Sequence, residues 1–351
     1  MATINVVSGA HAPPPEAAAE HNLNFNVGTR KSELALKQTD MVLLEAVQHF
    51  SNYTFTIKAK DTAAGDIDKV TPFKDMPVKN LWTHELETLM LEKQLDFLVH
   101  ALKDVPTQLP PNCEVGATLI REDPRDALVI KAGRSACRIQ DLPAGSVIGT
   151  SSIRRTAQLA LKYPHLIVKD VRGNLGTRLR KLDAEDSGYD ALILAAAGLI
   201  RINLGHRITQ LLDSRDGGML YAVSQGAIGM ENRSDDSKTK EIMAKINHLP
   251  TFYRIGAERS LLRTIEGGCS APLGIETEWV DATLMKLRAI VVSVDGKEFA
   301  EVEMEAGVTS VADAEDLGMA AAAEILRRGA DKILAEIKAK KPTTPMDLED
   351  R

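Results

Sequence analysis

Three times in this chain a short apolar run breaks into a Gly/Ser/Thr turn flanked by arginine and passes into a helical pattern. Asn24 to Val27 leads into Gly28-Thr29-Arg30-Lys31-Ser32. Ser146 to Ile148 leads into Gly149-Thr150-Ser151-Ser152-Ile153-Arg154-Arg155, and Leu166 to Val171 into Arg172-Gly173-Asn174-Leu175-Gly176-Thr177-Arg178. A strand, a small-residue turn and a helix start together present unpaired backbone N–H groups and hydroxyls to an anion. Arginines beside such turns add planar, multi-donor forks suited to carboxylate or phosphate. Ordinary helix N-termini with solvated arginines are the plain alternative. The repetition favours a ligand with several negative charges, bound by an α/β fold.

Leu95 to Leu102 is nearly continuously apolar, as expected of a strand buried on both faces of a sheet. Lys103 and Asp104 follow it, where ligands of open α/β sheets sit beyond the carboxyl ends of strands. An acid there, near cations, could act as general acid/base or hold a cationic N–H group; a surface Lys–Asp pair is the alternative. Thr83 reads as the N-cap of a helix reaching Lys93, after a long aperiodic loop from Asp61 to Asn80. Asp126 to Lys131 opens a second βα series that includes the strand Ala191 to Leu194, followed by a close-packing Ala195-Ala196-Ala197-Gly198. Tyr221 to Met230 is extended and returns to the first domain, and Glu231 to Lys240 reads as a charged loop. From Thr251 a helix bearing Ile255, Leu261, Leu262 and Ile265 ends at Glu266-Gly267-Gly268-Cys269-Ser270, whose glycines supply a C-cap and leave Cys269 accessible. A hairpin around Asp295-Gly296 and a last helix from Ala312 to Lys340 complete a small α+β domain. Linkers fall near 121–125, 212–218 and 247–250.

With 351 residues the chain is long enough for two or three domains. A net charge of −6 argues against nucleic-acid binding and makes the arginine cluster a local positive site on an acidic body. Three cysteines without a CxxC pair, and no HxxH or HExxH pattern, give no metal site and indicate a reduced compartment. No apolar run approaches the ~20 residues that span a bilayer. Met1 to Glu20 is Ala/Pro-rich, without the features of a secretion signal or a mitochondrial presequence. It reads as a disordered tail on a cytoplasmic protein. Arg30, Arg154, Arg155, Arg172 and Arg178 would line a clamshell cleft in which Asp104 is the only obvious acid. The residues alone reach as far as a receptor for a polycarboxylate or phosphate, with a covalent step at Cys269 left open.

Five motifs taken in order carry a resemblance. They are Gly28-Thr29-Arg30-Lys31-Ser32-Glu33-Leu34-Ala35, His100-Ala101-Leu102-Lys103-Asp104-Val105-Pro106-Thr107, the Gly149 and Arg172 runs above, and Glu266-Gly267-Gly268-Cys269-Ser270. Together they resemble the porphobilinogen deaminase family over about Asn24 to Lys340, and Leu81-Trp82-Thr83-His84-Glu85-Leu86-Glu87 looks more like its fungal members than its bacterial ones. The resemblance implies three domains after a tail at 1–21: a first lobe from 22–122 with 219–246, a second from 123–218, and an α+β domain from 247–351. The two lobes would resemble those of periplasmic binding proteins. It implies a monomer with a dipyrromethane cofactor, thioether-linked to Cys269. On that primer four porphobilinogens are condensed head to tail with loss of ammonia, and hydroxymethylbilane is released by hydrolysis. Each pyrrole brings acetate and propionate groups, which accounts for the arginines. Asp104 matches the aspartate that contacts pyrrole N–H groups and stabilises the cationic azafulvene-like species. Lys103, Arg30, Ser32, Arg154, Arg155, Arg172, Arg178 and Arg201 match binding positions, with Gln38 and Ser152 as additions. The sequence departs from the family at Ala101, usually Ser, at Ala63-Ala64, Asp75, Pro77 and Val78 in the long loop, and at Ser224, usually Gly. A serine at Ser224 is strained if the backbone there has positive φ. A catalytically impaired anion-binding protein of the same fold is the alternative these departures raise.

Overall fold

The computed structural model describes residues 23–61, 81–265 and 271–339, with the side chains of Leu81 and Trp82 excepted. The N-terminal stretch to Glu20, the departures at Ala63, Ala64, Asp75, Pro77 and Val78, and the Glu266 to Ser270 motif with Cys269 lie outside them.

The first lobe follows the alternation of strand and helix read above. Strand β1 (Asn24–Arg30) leads to helix α1 (Glu33–His49), β2 (Thr54–Lys60), α2 (Leu81–Leu91), β3 (Phe97–Ala101) and β4 (Cys113–Thr118). The chain crosses over residues 119–125 into the second lobe. There it forms β5 (Asp126–Ile130), β6 (Val147–Gly149), α3 (Ile153–Lys162), β7 (Ile167–Lys169), α4 (Leu175–Asp183), β8 (Ala191–Ala195), α5 (Ala196–Arg201) and β9 (Gln210–Leu212). Residues 213–227 cross back to β10 (Ile228–Arg233) and α6 (Ser237–Ile246). The C-terminal unit holds α7 (Leu249–Thr264), β11 (Leu273–Trp279), β12 (Leu284–Val292), β13 (Phe299–Gly307), α8 (Val311–Ile325) and α9 (Asp331–Ala339).

The two lobes share one topology. Their five-stranded sheets run β2-β1-β3-β10-β4 and β7-β6-β8-β5-β9. In each, three parallel strands come from βα units, and the fourth, which enters from a crossing, is antiparallel to both its neighbours. Two lobes joined by two crossings form the clamshell anticipated from the sequence, with an antiparallel three-stranded sheet and helices as the α+β unit. Continuous apolar runs are explained by burial on both faces. In β5, Leu128 and Ile130 join the core of one face, with Leu159 of α3, while Ala127 and Val129 join the other, with Leu179 of α4.

Several readings need correction. The helix read as starting at Thr83 starts at Leu81, and Thr83 is buried inside it rather than capping it. Glu231 to Lys240 is not a charged loop: Glu231, Asn232 and Arg233 are buried in β10, and α6 begins at Ser237. The last helix is broken into α8 and α9 by a π turn at Leu326–Ala330, where Gly329 has φ 107°. Only glycine takes that conformation cheaply.

The crossings are stitched to each other and to the C-terminal unit. Arg121 donates from Nε to the Gln225 carbonyl (2.8 Å) and from both Nη atoms to the Glu258 carboxylate of α7 (2.6 and 3.0 Å). Glu258 Oε2 also accepts from the Ser224 N–H (2.7 Å), and Oε1 from Thr277 Oγ1 of β11 (2.6 Å). Burial pushes the Glu258 carboxyl up, but Arg121, with Arg254 and the Thr277 hydroxyl, outweighs it and the net shift is downward. At Gly226, φ is +85° and a Cβ would stand 2.4 Å from the Glu122 carbonyl oxygen. The two crossings therefore touch backbone to backbone, and no side chain fits between them.

Ser224 lies in this knot with φ 60°, fully buried, its Oγ without a partner among the described residues. The serine-for-glycine departure is strained, as anticipated. Left-handed backbone costs a non-glycine residue about 1–2 kcal/mol, and glycine returns about 0.5–1 kcal/mol of that as unfolded-chain entropy. Ser224→Gly, which also deletes the unpaired hydroxyl, is expected to stabilise the protein by about 1 kcal/mol. Denaturant unfolding checks it, and an unchanged or lowered midpoint would show the strain to be absorbed elsewhere.

Candidate active site

The site is built at the carboxyl ends of the parallel strands, where the βα turns of both lobes face each other. β3 ends in a 3-10 turn, Leu102–Asp104, which leaves the Asp104 side chain exposed. Lys103 is partly covered as a residue, but its ammonium is enclosed. Desolvation lowers its pKa, with Asp104 opposing and Arg155, Asp126 and Arg154 of the second lobe all within electrostatic reach. Lys103 of one lobe and the arginine pair of the other thus belong to one field.

Ser152 caps α3, its Oγ accepting from the Arg155 N–H (3.5 Å), and so sets Arg154 and Arg155 in the first turn. The plain alternative of solvated arginines fails here, since the two are 4% and 6% exposed. Their counter-ion is Asp126, the first residue of β5. Arg154 Nη1 donates to Oδ2 and Arg155 Nη2 to Oδ1, both at 2.7 Å. Arg154 also bonds the Leu220 carbonyl (2.6 Å) and Arg155 that of Ile193 (2.8 Å). Gln225, on the returning crossing, donates to Asp126 Oδ1 (2.9 Å). Asp104 is therefore not the only acid of the cleft. Asp126 was missed in the sequence. The available signal was an acid at the start of a continuously apolar strand, since a buried charge requires a partner.

Arg178, on α4, donates from Nε to the Gly173 carbonyl (2.7 Å). Burial pulls it down to about 10, with Arg155 and Arg172 adding and Asp170 and Asp104 opposing. It remains charged at neutral pH and faces the same cluster. Arg172 pairs with Asp170 (2.9 Å). Across the cleft, Ser32 caps α1 through Ala35 N–H (3.4 Å), next to Arg30 at the end of β1. α1 approaches the second lobe at Gly198 of α5, where a Cβ would meet Leu175 at 2.9 Å and Leu34 at 3.7 Å. Gln38 is buried farther along α1. Arg201 stands by the crossings instead, donating to the Gly226 carbonyl (2.7 Å), and burial lowers it to about 10.

The donor set suits a polycarboxylate. Lys103, Arg154, Arg155 and Arg178 share the cleft with Asp104 and Asp126, so positive charge is in excess. The buried Nε–H groups of Arg154, Arg155 and Arg201 meet no acceptor among the described residues.

Two family models match the chain: "Porphobilinogen deaminase, dipyromethane cofactor binding domain" over residues 25–241, and "Porphobilinogen deaminase, C-terminal domain" over residues 252–327. The chain belongs to the porphobilinogen deaminase family. It is 50% identical to the porphobilinogen deaminase of Yarrowia lipolytica, covering 89% of this chain and 92% of that one. It is 45% identical to that of Neurospora crassa (90% and 94%) and 46% identical to that of Synechococcus elongatus (90% and 96%). As a porphobilinogen deaminase family member the chain is a transferase, and the dipyrromethane cofactor is the family's own.

Proposed function

We propose that the cleft between the lobes is where this chain elongates the tetrapyrrole, with Asp104 as the group that meets the reacting pyrrole. The observation that carries this is the shared field of Lys103, Asp104, Arg154, Arg155 and Arg178, drawn from both lobes. The reaction is head-to-tail condensation of four porphobilinogens with loss of ammonia, and hydroxymethylbilane leaves by hydrolysis. When bound through Cys269, dipyrromethane supplies the primer to which the pyrroles are added. Lys103, Arg154, Arg155, Arg172 and Arg178 bind acetate and propionate groups, with Arg30, Ser32 and Gln38 on the first lobe, Ser152 at the α3 cap and Arg201 by the crossings. Paired carboxylates and guanidiniums form charge-assisted bonds stronger than neutral ones, and enclosure strengthens them. Asp104 carries negative charge to the place where positive charge develops as ammonia departs, the correct sign for lowering that barrier. Its exposed position leaves it open to the incoming pyrrole. The molecule works as a cytoplasmic monomer without nucleic acid, with domain limits at 22–122 plus 219–246, 123–218 and 247–351.

Intact mass under denaturing conditions tests the attachment. Protein from cells supplying porphobilinogen should exceed its polypeptide mass by two linked pyrrole units, and Cys269→Ser should lose the excess. Excess mass retained in Cys269→Ser would move the attachment to another residue, and no excess in the unaltered protein would refute a loaded site.

A further inference from the structure

We propose that Arg259 is a positioning residue for this reaction, holding the Asp104 turn from the C-terminal unit through two backbone carbonyls. The proposal rests on the reading of Asp104 just given. Within the turn, Val105 N–H donates to the Leu102 carbonyl at 3.2 Å. A short 3-10 turn has poor hydrogen-bond geometry and little rigidity of its own. Asp104 is exposed, so packing of its side chain does not fix its position. The next two carbonyls do the fixing. Arg259 donates from Nη1 to Val105 O (3.1 Å) and from Nη2 to Pro106 O (2.5 Å). Pro106 has no N–H with which to anchor this stretch, so its carbonyl is the available handle.

Arg259 is 8% exposed and sits on α7. The same helix presents Ile255 and Phe252, which pack with Leu102 and Val105 in one apolar cluster. The turn is therefore gripped on apolar and polar sides by a single helix. The adjoining Glu258 ties that helix to both crossings. A guanidinium suits the task because its planar fork spans two successive carbonyls; a lysine ammonium offers a point charge without that fork. α7 thus refers the Asp104 turn and both crossings to one frame. Displacing a reacting group by about 1 Å can cost about a hundredfold in rate.

The test is a double-mutant cycle on the cofactor-loaded enzyme, with Arg259→Ala, Arg259→Lys and Asp104→Glu, and Asp104→Asn alongside. Arg259→Ala is expected to lower kcat at least about tenfold while KM stays within about twofold, because alignment rather than binding is lost. Arg259→Lys should fall between. In the Asp104→Glu background, where the carboxylate is already displaced, Arg259→Ala should cost clearly less, the non-additivity of residues acting as a unit. Equal losses in both backgrounds, or a raised KM with unchanged kcat, would overturn the proposal. If Arg259→Ala does not fold, Arg259→Lys carries the same cycle. Near-normal turnover in Asp104→Asn would instead overturn the reading of Asp104, and this proposal with it.

Discussion

Asp104→Asn is expected to lower kcat by at least about two to three orders of magnitude while the fold and the attached cofactor persist. Asparagine matches the shape of aspartate, and Asp104 is exposed, so the substitution leaves no cavity. The 3-10 turn is closed by backbone atoms and gripped by Arg259 at the Val105 and Pro106 carbonyls, so these hydrogen bonds do not run through the Asp104 side chain. What is lost is the negative charge. Lys103 and Arg178 are left with one opposing charge fewer, so the cleft becomes more positive while the reaction generates further positive charge in it. Substrate carboxylates should bind at least as well, and the loss should fall on kcat rather than KM. Steady-state porphobilinogen consumption, with thermal unfolding and intact mass as controls, measures this. Near-normal kcat would remove Asp104 from the chemistry.

Most of what positions this site was legible because it is local. The Gly/Ser/Thr turns are true βα junctions, and in the structure Ser32, Ser152 and Asn174 cap the helices that follow them. The apolar run before Asp104 is a central strand. What escaped is long-range. Asp126 finds Arg154 and Arg155 28 and 29 residues away, and Arg121 finds Glu258 137 away; no periodicity encodes such pairs. Polarity also misled. Glu231, Asn232 and Arg233 resemble a loop in composition, yet they lie in β10, flanked by β3 and β4, and are buried there. β4, β9 and β11 went unread for a related reason: Cys113–Thr118 is half-exposed, Gln210–Leu212 is three residues long, and Leu273–Trp279 carries glutamates on a largely buried strand.

Arg155→Ala should cut kcat/KM for porphobilinogen at least about thirtyfold, the equivalent of about 2 kcal/mol, the lower end of what truncating one partner of a buried charge pair costs. The guanidinium has two duties, and the variant separates them. It faces the cleft charge that Lys103 and Arg178 share, and it holds Asp126 and the Ile193 carbonyl. Losing the second duty destabilises the lobe, which a rate measurement alone would confuse with losing the first. The pH dependence of folding separates them. Burial pushes the Asp126 carboxyl up, but Arg154 and Arg155 outweigh it and hold it well below the usual carboxylate range. A carboxyl depressed in the folded state stabilises the protein above its unfolded pKa, about 3.9, and loses that contribution as pH falls through the folded value. Without Arg155 the folded value rises, so the acid unfolding limb should move to higher pH. Arg155→Lys restores a charge near Asp126 but not the fork. It should bring the acid limb back towards its original position while kcat/KM stays low, because a point charge can answer Asp126 without also presenting a planar pair of donors to a pyrrole carboxylate. If kcat/KM recovered together with the acid limb, Arg155 would be a structural counter-ion only, and the carboxylate-binding role would pass to Arg154 and Arg178.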